Sequence, residues 1–168
     1  MHFEIAHEFD IRLDAVELAV LSPSLVEKLA PKLSNIQSVT QREYDFTNGV
    51  LTRTWLYRAN VKIPDFAQRY ITTEMCAWEE RSIYRLKDHA SEWTIIPNVK
   101  ADWQKFFDAK GTYTLTALSE GRTRRVVQGE LNLNVPYVRQ VAERMIVNEV
   151  RKTFEAEAAT LRDLATLV

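Results

Sequence analysis

Residues 132–164 read NLNVPYVRQVAERMIVNEVRKTFEAEAATLRDL. The proline in this stretch, Pro136, stands near its start, where the first turn of a helix tolerates it. Beyond it come neither glycine nor proline. Val138, Val141, Ala142, Met145, Ile146, Val150, Phe154, Ala158, Leu161 and Leu164/Ala165 recur at intervals that lay an apolar stripe along one helical face. Arg139, Glu143, Arg151, Lys152, Glu155 and Arg162 occupy the remainder. The spacing predicts one long amphipathic helix over 136–168, about 45 Å long at 1.5 Å per residue. Its stripe needs an apolar surface of similar length to lie on.

The upstream sequence supplies one. Residues 2–9 alternate, with Phe3, Ile5, His7 and Phe9 on one side, as in a half-buried strand. Two short helices follow, one over residues 13–21 and one after Ser22-Pro23, with Pro31 disturbing the last turn of the second. Residues 36–46 and 50–59 then flank Asn48-Gly49, the preferred pair for a type I′ hairpin turn. A two-residue turn pairs Phe46 with Leu51, Tyr44 with Arg53, Arg42 with Trp55 and Thr40 with Tyr57. That face is aromatic, with two arginines inside it.

Two more hairpins follow. Residues 76–86 and 90–97 meet around Asp88-His89, with Tyr84 aligned to Trp93 and Ser82 to Ile95 on the face of Trp78 and Glu80. The connecting segment before them carries Phe66 and Tyr70, either a gate or a loop anchor. Residues 112–118 and 123–135 meet near Glu120-Gly121. A strict two-residue turn there would bury the wrong set, so a three-residue turn with one left-handed residue is expected, placing Val127, Leu131, Leu133 and Val135 inward. Gly49 and Gly121 then turn hairpins, and Gly111 opens a strand. Gly129 falls mid-strand on the inner face, where the sheet is expected to bend or to pass close to the last helix.

The order predicts an α+β protein: a curved antiparallel sheet of about seven strands wrapped on the C-terminal helix, with two short helices between strands 1 and 2. The whole of 1–168 reads as one domain. The stretch MHFEIAHEFDIRLDAVELAVLSPSLVEKL at the start, together with the closing strand and helix, resembles the START-like (SRPBCC) superfamily with its helix-grip fold. That is the fold of the birch pollen allergen and of many lipid-binding and cyclase proteins. Within it the chain is most similar to an uncharacterised bacterial branch of unknown function, and it shares an outline with the phospholipid-shuttling PRELI-type proteins. The resemblance implies a hydrophobic cavity between sheet and grip helix. It implies no particular ligand.

Composition excludes several other classes. The four glycines are dispersed, so no phosphate-cradling loop and no nucleophile elbow can be written. A single cysteine excludes an intramolecular disulfide and multi-cysteine metal sites, and the three histidines lack metal spacing. No metal and no cofactor is expected. A net charge of −1 gives no global basic field for nucleic acid. The N-terminus lacks the apolar core of a signal peptide and no apolar run spans a membrane, so a cytoplasmic protein is expected.

Candidate site residues follow from strand parity. Trp55, Tyr57, Trp78, Tyr84, Trp93, Tyr113, Met145 and Phe154 would line the cavity or simply fill the core. His7, Arg42, Arg53 and Glu80 share that apolar face. A charge buried alone is costly, so these residues either pair or reach a wet cavity. An arginine there suits the polar head of a ligand, and His7 or Glu80 suits acid–base work. Equally, Arg42 can stack on Trp55, or Arg53 can pair with Glu80. The run Arg122-Thr123-Arg124-Arg125 reads as a solvated hairpin tip or a transient membrane contact. Three functions remain open: binding or transport of a hydrophobic, lipid-like small molecule without covalent chemistry; a cyclase or dehydratase acting in the same cavity; and a non-ligand interaction protein with a filled core.

Overall fold

The computed structural model describes residues 1–60, 62, 65, 68, 72–134 and 139–167. Phe66, Tyr70, Val135, Pro136 and Val138 lie outside the described residues.

The chain runs through β1 (His2–Phe9), α1 (Leu13–Val20), α2 (Leu25–Leu29), β2 (Ile36–Thr47), β3 (Val50–Ala59), β4 (Ala77–Arg85), β5 (Ala90–Pro97), α3 (Ala101–Gln104), β6 (Phe107–Ser119), β7 (Arg122–Leu133) and α4 (Arg139–Ala165). The strands form one antiparallel sheet of seven, in the order β1-β7-β6-β5-β4-β3-β2. Pro31 does disturb α2, whose end tightens into a 3₁₀ turn over Ala30–Lys32. α4 lies across the inner face, with α1 and α2 packed beside it. This is the helix-grip fold.

The turns explain the registers. Asn48 and Gly49 both have positive φ, as a type I′ turn requires, and Phe46 faces Leu51. The pairing then slips at Arg42, where a bulge sets Gln41 opposite Trp55 and Val39 opposite Tyr57. Arg42 is left without a cross-strand partner and points to solvent. Its expected place on the inner face is therefore wrong: an extra residue in one strand flips the parity of all that precede it. In the second hairpin the turn occupies Leu86–His89, with His89 left-handed, so Tyr84 faces Ser91 and Ser82 faces Trp93. The register moves by two residues, and the inward set survives.

The third hairpin reaches the expected parity by another route. Ser119 pairs with Arg122 across a two-residue turn, and a bulge at Leu118 shifts the ladder so that Tyr113 faces Val127. No residue of that turn is left-handed. Gly111 lies inside β6, not at its start, directly opposite Gly129. A Cβ on Gly111 would sit 2.0 Å from the carbonyl oxygen of Gln128 and 2.4 Å from the Trp93 ring; one on Gly129 would sit 2.3 Å from the Phe3 ring. The missing side chains let Trp93 and Phe3 lie down over the sheet, their ring centroids 6.1 Å apart.

α4 presents a different stripe in its first half. Glu143 and Val147 are buried there, while Val141 and Met145 are exposed, Met145 by 66%. Glu143 accounts for this rotation. Its carboxylate accepts the Leu133 backbone N–H at 3.0 Å and Arg139 Nε at 3.0 Å, tying the helix to the end of β7. Met145, two positions along, is turned outward. It lines no cavity.

Candidate functional site

The sheet registers stack two rows of inward residues beneath α4. One runs Arg53, Ser82, Trp93, Gly111, Gly129, Phe3; the next runs Leu51, Tyr84, Ser91, Tyr113, Val127, Ile5. Ser82 and Ser91 are too small to reach the helix. Among the described residues, the space they leave is a cavity of about 20 Å³. Its walls include Arg53, Glu80, Tyr84, Trp93 and Tyr113 from the sheet, Val20 from α1, and Phe154 and Glu157 from α4. That volume admits a single water.

Of the expected cavity residues, Tyr84, Trp93, Tyr113 and Phe154 stand in this wall, as do Arg53 and Glu80. Trp55 and Tyr57 are buried deeper in the core, and Tyr57 stacks on half-buried Trp78 at 5.2 Å between centroids. His7 faces inward but lies outside the wall.

The polar groups divide into satisfied and unsatisfied. Arg53, 7% exposed, stacks its guanidinium 4.0 Å from the Trp55 ring and donates from Nη1 to the Val20 carbonyl at 3.1 Å. The stacking partner is thus Arg53 and not Arg42. Arg53 Nε, Trp93 Nε1 and the Tyr113 hydroxyl are buried without an aligned partner among the described residues, as are Trp55 Nε1 and Arg125 Nε. The Arg125 guanidinium sits over the Tyr113 ring at 5.3 Å and engages the hydroxyl from that side, which leaves the hydroxyl hydrogen without an acceptor among the described residues. An unpaired buried donor of this kind costs about 1–3 kcal/mol.

Glu80 is shifted toward its neutral form. Burial pushes its carboxyl up from 4.5 to about 7, Glu157 adds to the rise, and Arg53 offsets part of it. Burial likewise lifts the Tyr113 hydroxyl well above the phenol range.

Arg125 is the buried polar residue beside this wall that sequence reasoning missed. It is not at a solvated tip; it is 0% exposed. Nη1 donates to Glu157 Oε2 at 2.9 Å, and Nη2 donates to the Phe154 carbonyl at 2.6 Å and to His7 Nδ1 at 3.2 Å. Because arginine only donates, His7 Nδ1 must be the acceptor, so the neutral ring carries its proton on Nε2. Burial, then Arg125, then Arg162, lower the His7 pKa from 6.5 to about 4. His7 is committed to holding Arg125 and is not free to move protons at neutral pH. The signal was present in the sequence: the same parity that turns Val127 and Leu131 inward turns Arg125 inward.

A second buried group lies at the α1 end of the wall. Glu17 accepts from the Tyr84 hydroxyl at 2.5 Å and meets His89 Nδ1 at 2.7 Å, which locks Tyr84 against α1. Outside, a wider concavity of about 570 Å³ crosses the solvent face of β1, β7 and β6. Much of its polar rim is already engaged: Gln128 donates to Glu4, Asn132 donates to Glu130 and Lys110 pairs with Asp108. Among the described residues, no three His, Cys, Asp or Glu side chains gather to hold a metal. No helix among them is long and apolar enough to cross a membrane.

A family model described as "Protein of unknown function (DUF2505)" matches residues 4–164. The chain belongs to that family. No curated protein matches the sequence. Among solved structures, norcoclaurine synthase from Thalictrum flavum superposes with a TM-score of 0.67 at 13% identity, over 99% of this chain and 86% of that one. The Zhui aromatase/cyclase from Streptomyces sp. R1128 gives 0.66 at 12%, over 99% and 93%. TTHA0849 from Thermus thermophilus gives 0.65 at 13%, over 99% and 98%. These neighbours place the chain in the helix-grip (START-like, SRPBCC) fold, and at such identities they speak for the fold alone.

Proposed function

We propose that this protein binds or carries a hydrophobic small molecule between its sheet and α4, acting as one domain over 1–168, in the cytoplasm and without a cofactor. The observation that carries the reading is the set of unpartnered donors on Arg53, Trp93 and Tyr113, gathered at a cavity inside an aromatic shell. Each such group weakens the fold unless something bound pairs with it. Apolar burial at about 25 cal/mol per Å² supplies the affinity, and the donors orient the ligand.

Pockets for drug-sized ligands span about 300–1,000 Å³, so this reading requires the space of about 20 Å³ to open on binding. The N-terminal half of α4 supplies the opening. Of its seven buried residues, Glu143 and Val147 belong to the first half, whereas Glu157, Ala158, Thr160, Leu161 and Ala165 anchor the second. Lifting the first half releases Glu143 from the end of β7 and draws Val147, Ile146 and Val150 off the core, opening a path to Trp93, whose ring centroid lies 6.2 Å from that of Phe154.

A second reading, a cyclase- or dehydratase-type enzyme, draws on Glu80. A carboxyl in the cavity wall that holds its proton near neutrality suits general acid–base work. Native mass spectrometry against a panel of fatty acids, phospholipids and polycyclic aromatics tests the binding reading. One-to-one uptake of at least one class is expected. Apo protein throughout, both as purified and after the panel, would select a filled-core interaction protein instead.

A further inference from the structure

Two helices carry apolar side chains into water at one end of the sheet. At that end Phe107 of β6 pairs with Leu133 of β7, and the Phe106 carbonyl accepts the Asn134 backbone N–H at 2.8 Å. α3 stands just before Phe106, and its Trp103 ring meets the Phe106 ring edge-on at 6.0 Å between centroids. The first turns of α4 reach the same place, where Glu143 accepts the Leu133 N–H. Trp103 is 57% exposed, and Val141 and Met145 of α4 are 65% and 66% exposed. Large apolar side chains gathered in water mark a contact surface.

The charges around them lean one way. Across residues 98–110 and 139–145, Lys110 pairs with Asp108 and Arg139 with Glu143. Lys100, Lys105 and Arg144 have no ion-pair partner among the described residues, and Asp102 is the acid left beside them. Glu74, on the turn bonded to Asn98, has the Arg58 charge acting on it. Lys105 holds its ammonium 5.3 Å from the Phe106 ring centre. The surplus is positive, although the whole chain carries −1. An exposed indole flanked by lysines suits the boundary between lipid headgroups and acyl chains: the ring settles at headgroup level, and the lysine stems lie on apolar surface while their ammonium groups reach phosphate. The apolar groups also come from two separate helices. A fluid surface takes all of them at once, where a rigid protein partner would need a pocket for each.

We propose that this end of the molecule docks on an anionic phospholipid surface, with Trp103, Val141 and Met145 entering the interface and Lys100, Lys105 and Arg144 meeting the headgroups. The contact lies outside the inner cavity and does not depend on what that cavity holds.

Co-sedimentation of the full chain with vesicles tests it, using phosphatidylcholine alone and phosphatidylcholine mixed with an equal share of phosphatidylglycerol. Each basic residue near an anionic leaflet contributes about fivefold in affinity, so a surplus of two charges should favour the mixed vesicles about 25-fold. Replacing both lysines, Lys100→Gln with Lys105→Gln, should remove most of that preference. Trp103→Ser should weaken binding to the mixed vesicles about tenfold. Arg124→Gln, at the far end of the β6–β7 hairpin, removes one exposed charge and should bind like the parent. All these positions are exposed, so thermal melts matching the parent establish that the variants fold. Equal binding to both kinds of vesicle, or a lysine variant that binds like the parent, would overturn the proposal. So would a loss in Arg124→Gln as large as that in the lysine variant, which would move the contact to the hairpin tip. Absence of vesicle binding, with self-association of the chain abolished by Trp103→Ser, would overturn it in favour of a contact between two copies.

Discussion

Replacing Glu80 with glutamine (E80Q) is expected to stabilise the protein far more in alkaline buffer than in acid. In the folded chain the carboxyl holds its proton up to about pH 7, against 4.5 ordinarily. The folded state therefore binds more protons than the unfolded state between those values, so stability falls as pH rises through that window. Each tenfold change in proton affinity is worth about 1.36 kcal/mol, so the full penalty above pH 7 is roughly 3 kcal/mol. Glutamine fills the same space and has no charge to bury. Urea unfolding of both proteins at pH 5 and pH 8.5 gives the comparison. The stability gained by E80Q should be larger at pH 8.5 by roughly 2–3 kcal/mol. An equal difference at both pH values, or a loss at pH 8.5, would refute the claim that burial and Glu157 hold this carboxyl neutral.

Two further substitutions probe the scaffold around the site. Arg125→Met leaves Glu157 buried without its partner, which should cost about 3–5 kcal/mol in urea unfolding, and adding Glu157→Met should restore most of it; a double variant no better than the single one would contradict the pairing at 2.9 Å. Gly111→Ala puts a Cβ 2.0 Å from the Gln128 carbonyl oxygen and should lower stability by more than the roughly 1–3 kcal/mol of ordinary overpacking; a melting temperature equal to that of the parent would show that the strands do not approach so closely there.

Much of this architecture can be read from periodicity and turn chemistry. Asn48-Gly49 sets the first hairpin, alternation from Phe3 to Phe9 sets β1, and the unbroken stretch after Pro136 sets α4. What cannot be read is any event that inserts one residue. The bulge at Arg42 leaves no mark in composition, yet it turns that arginine from an inner position to solvent. Arg125 shows the opposite failure. Parity placed it inward, but its basic neighbours suggested a solvated tip, and only a carboxylate on α4, distant in sequence, explains how a buried guanidinium is tolerated. Met145 fails for a similar reason. A hydrophobic stripe predicts the helix, but Glu143 decides its rotation, by a hydrogen bond to the end of β7 that the stripe does not encode. The cavity itself depends on Ser82 and Ser91 standing in adjacent inward rows, a coincidence of registers that becomes visible only once each turn length is known.

The most direct measurement of the central claim uses two indole N–H resonances. Trp93 Nε1 is buried in the wall between sheet and α4, whereas Trp103 on α3 is exposed by 57%. With both signals assigned by Trp→Phe substitution in ¹⁵N-labelled protein, 2-acetylnaphthalene is titrated in. A saturable shift of the Trp93 signal is expected while Trp103 stays in place. Movement of Trp103 alone, with Trp93 unmoved at saturation, would put the ligand on the surface and contradict an interior binding site.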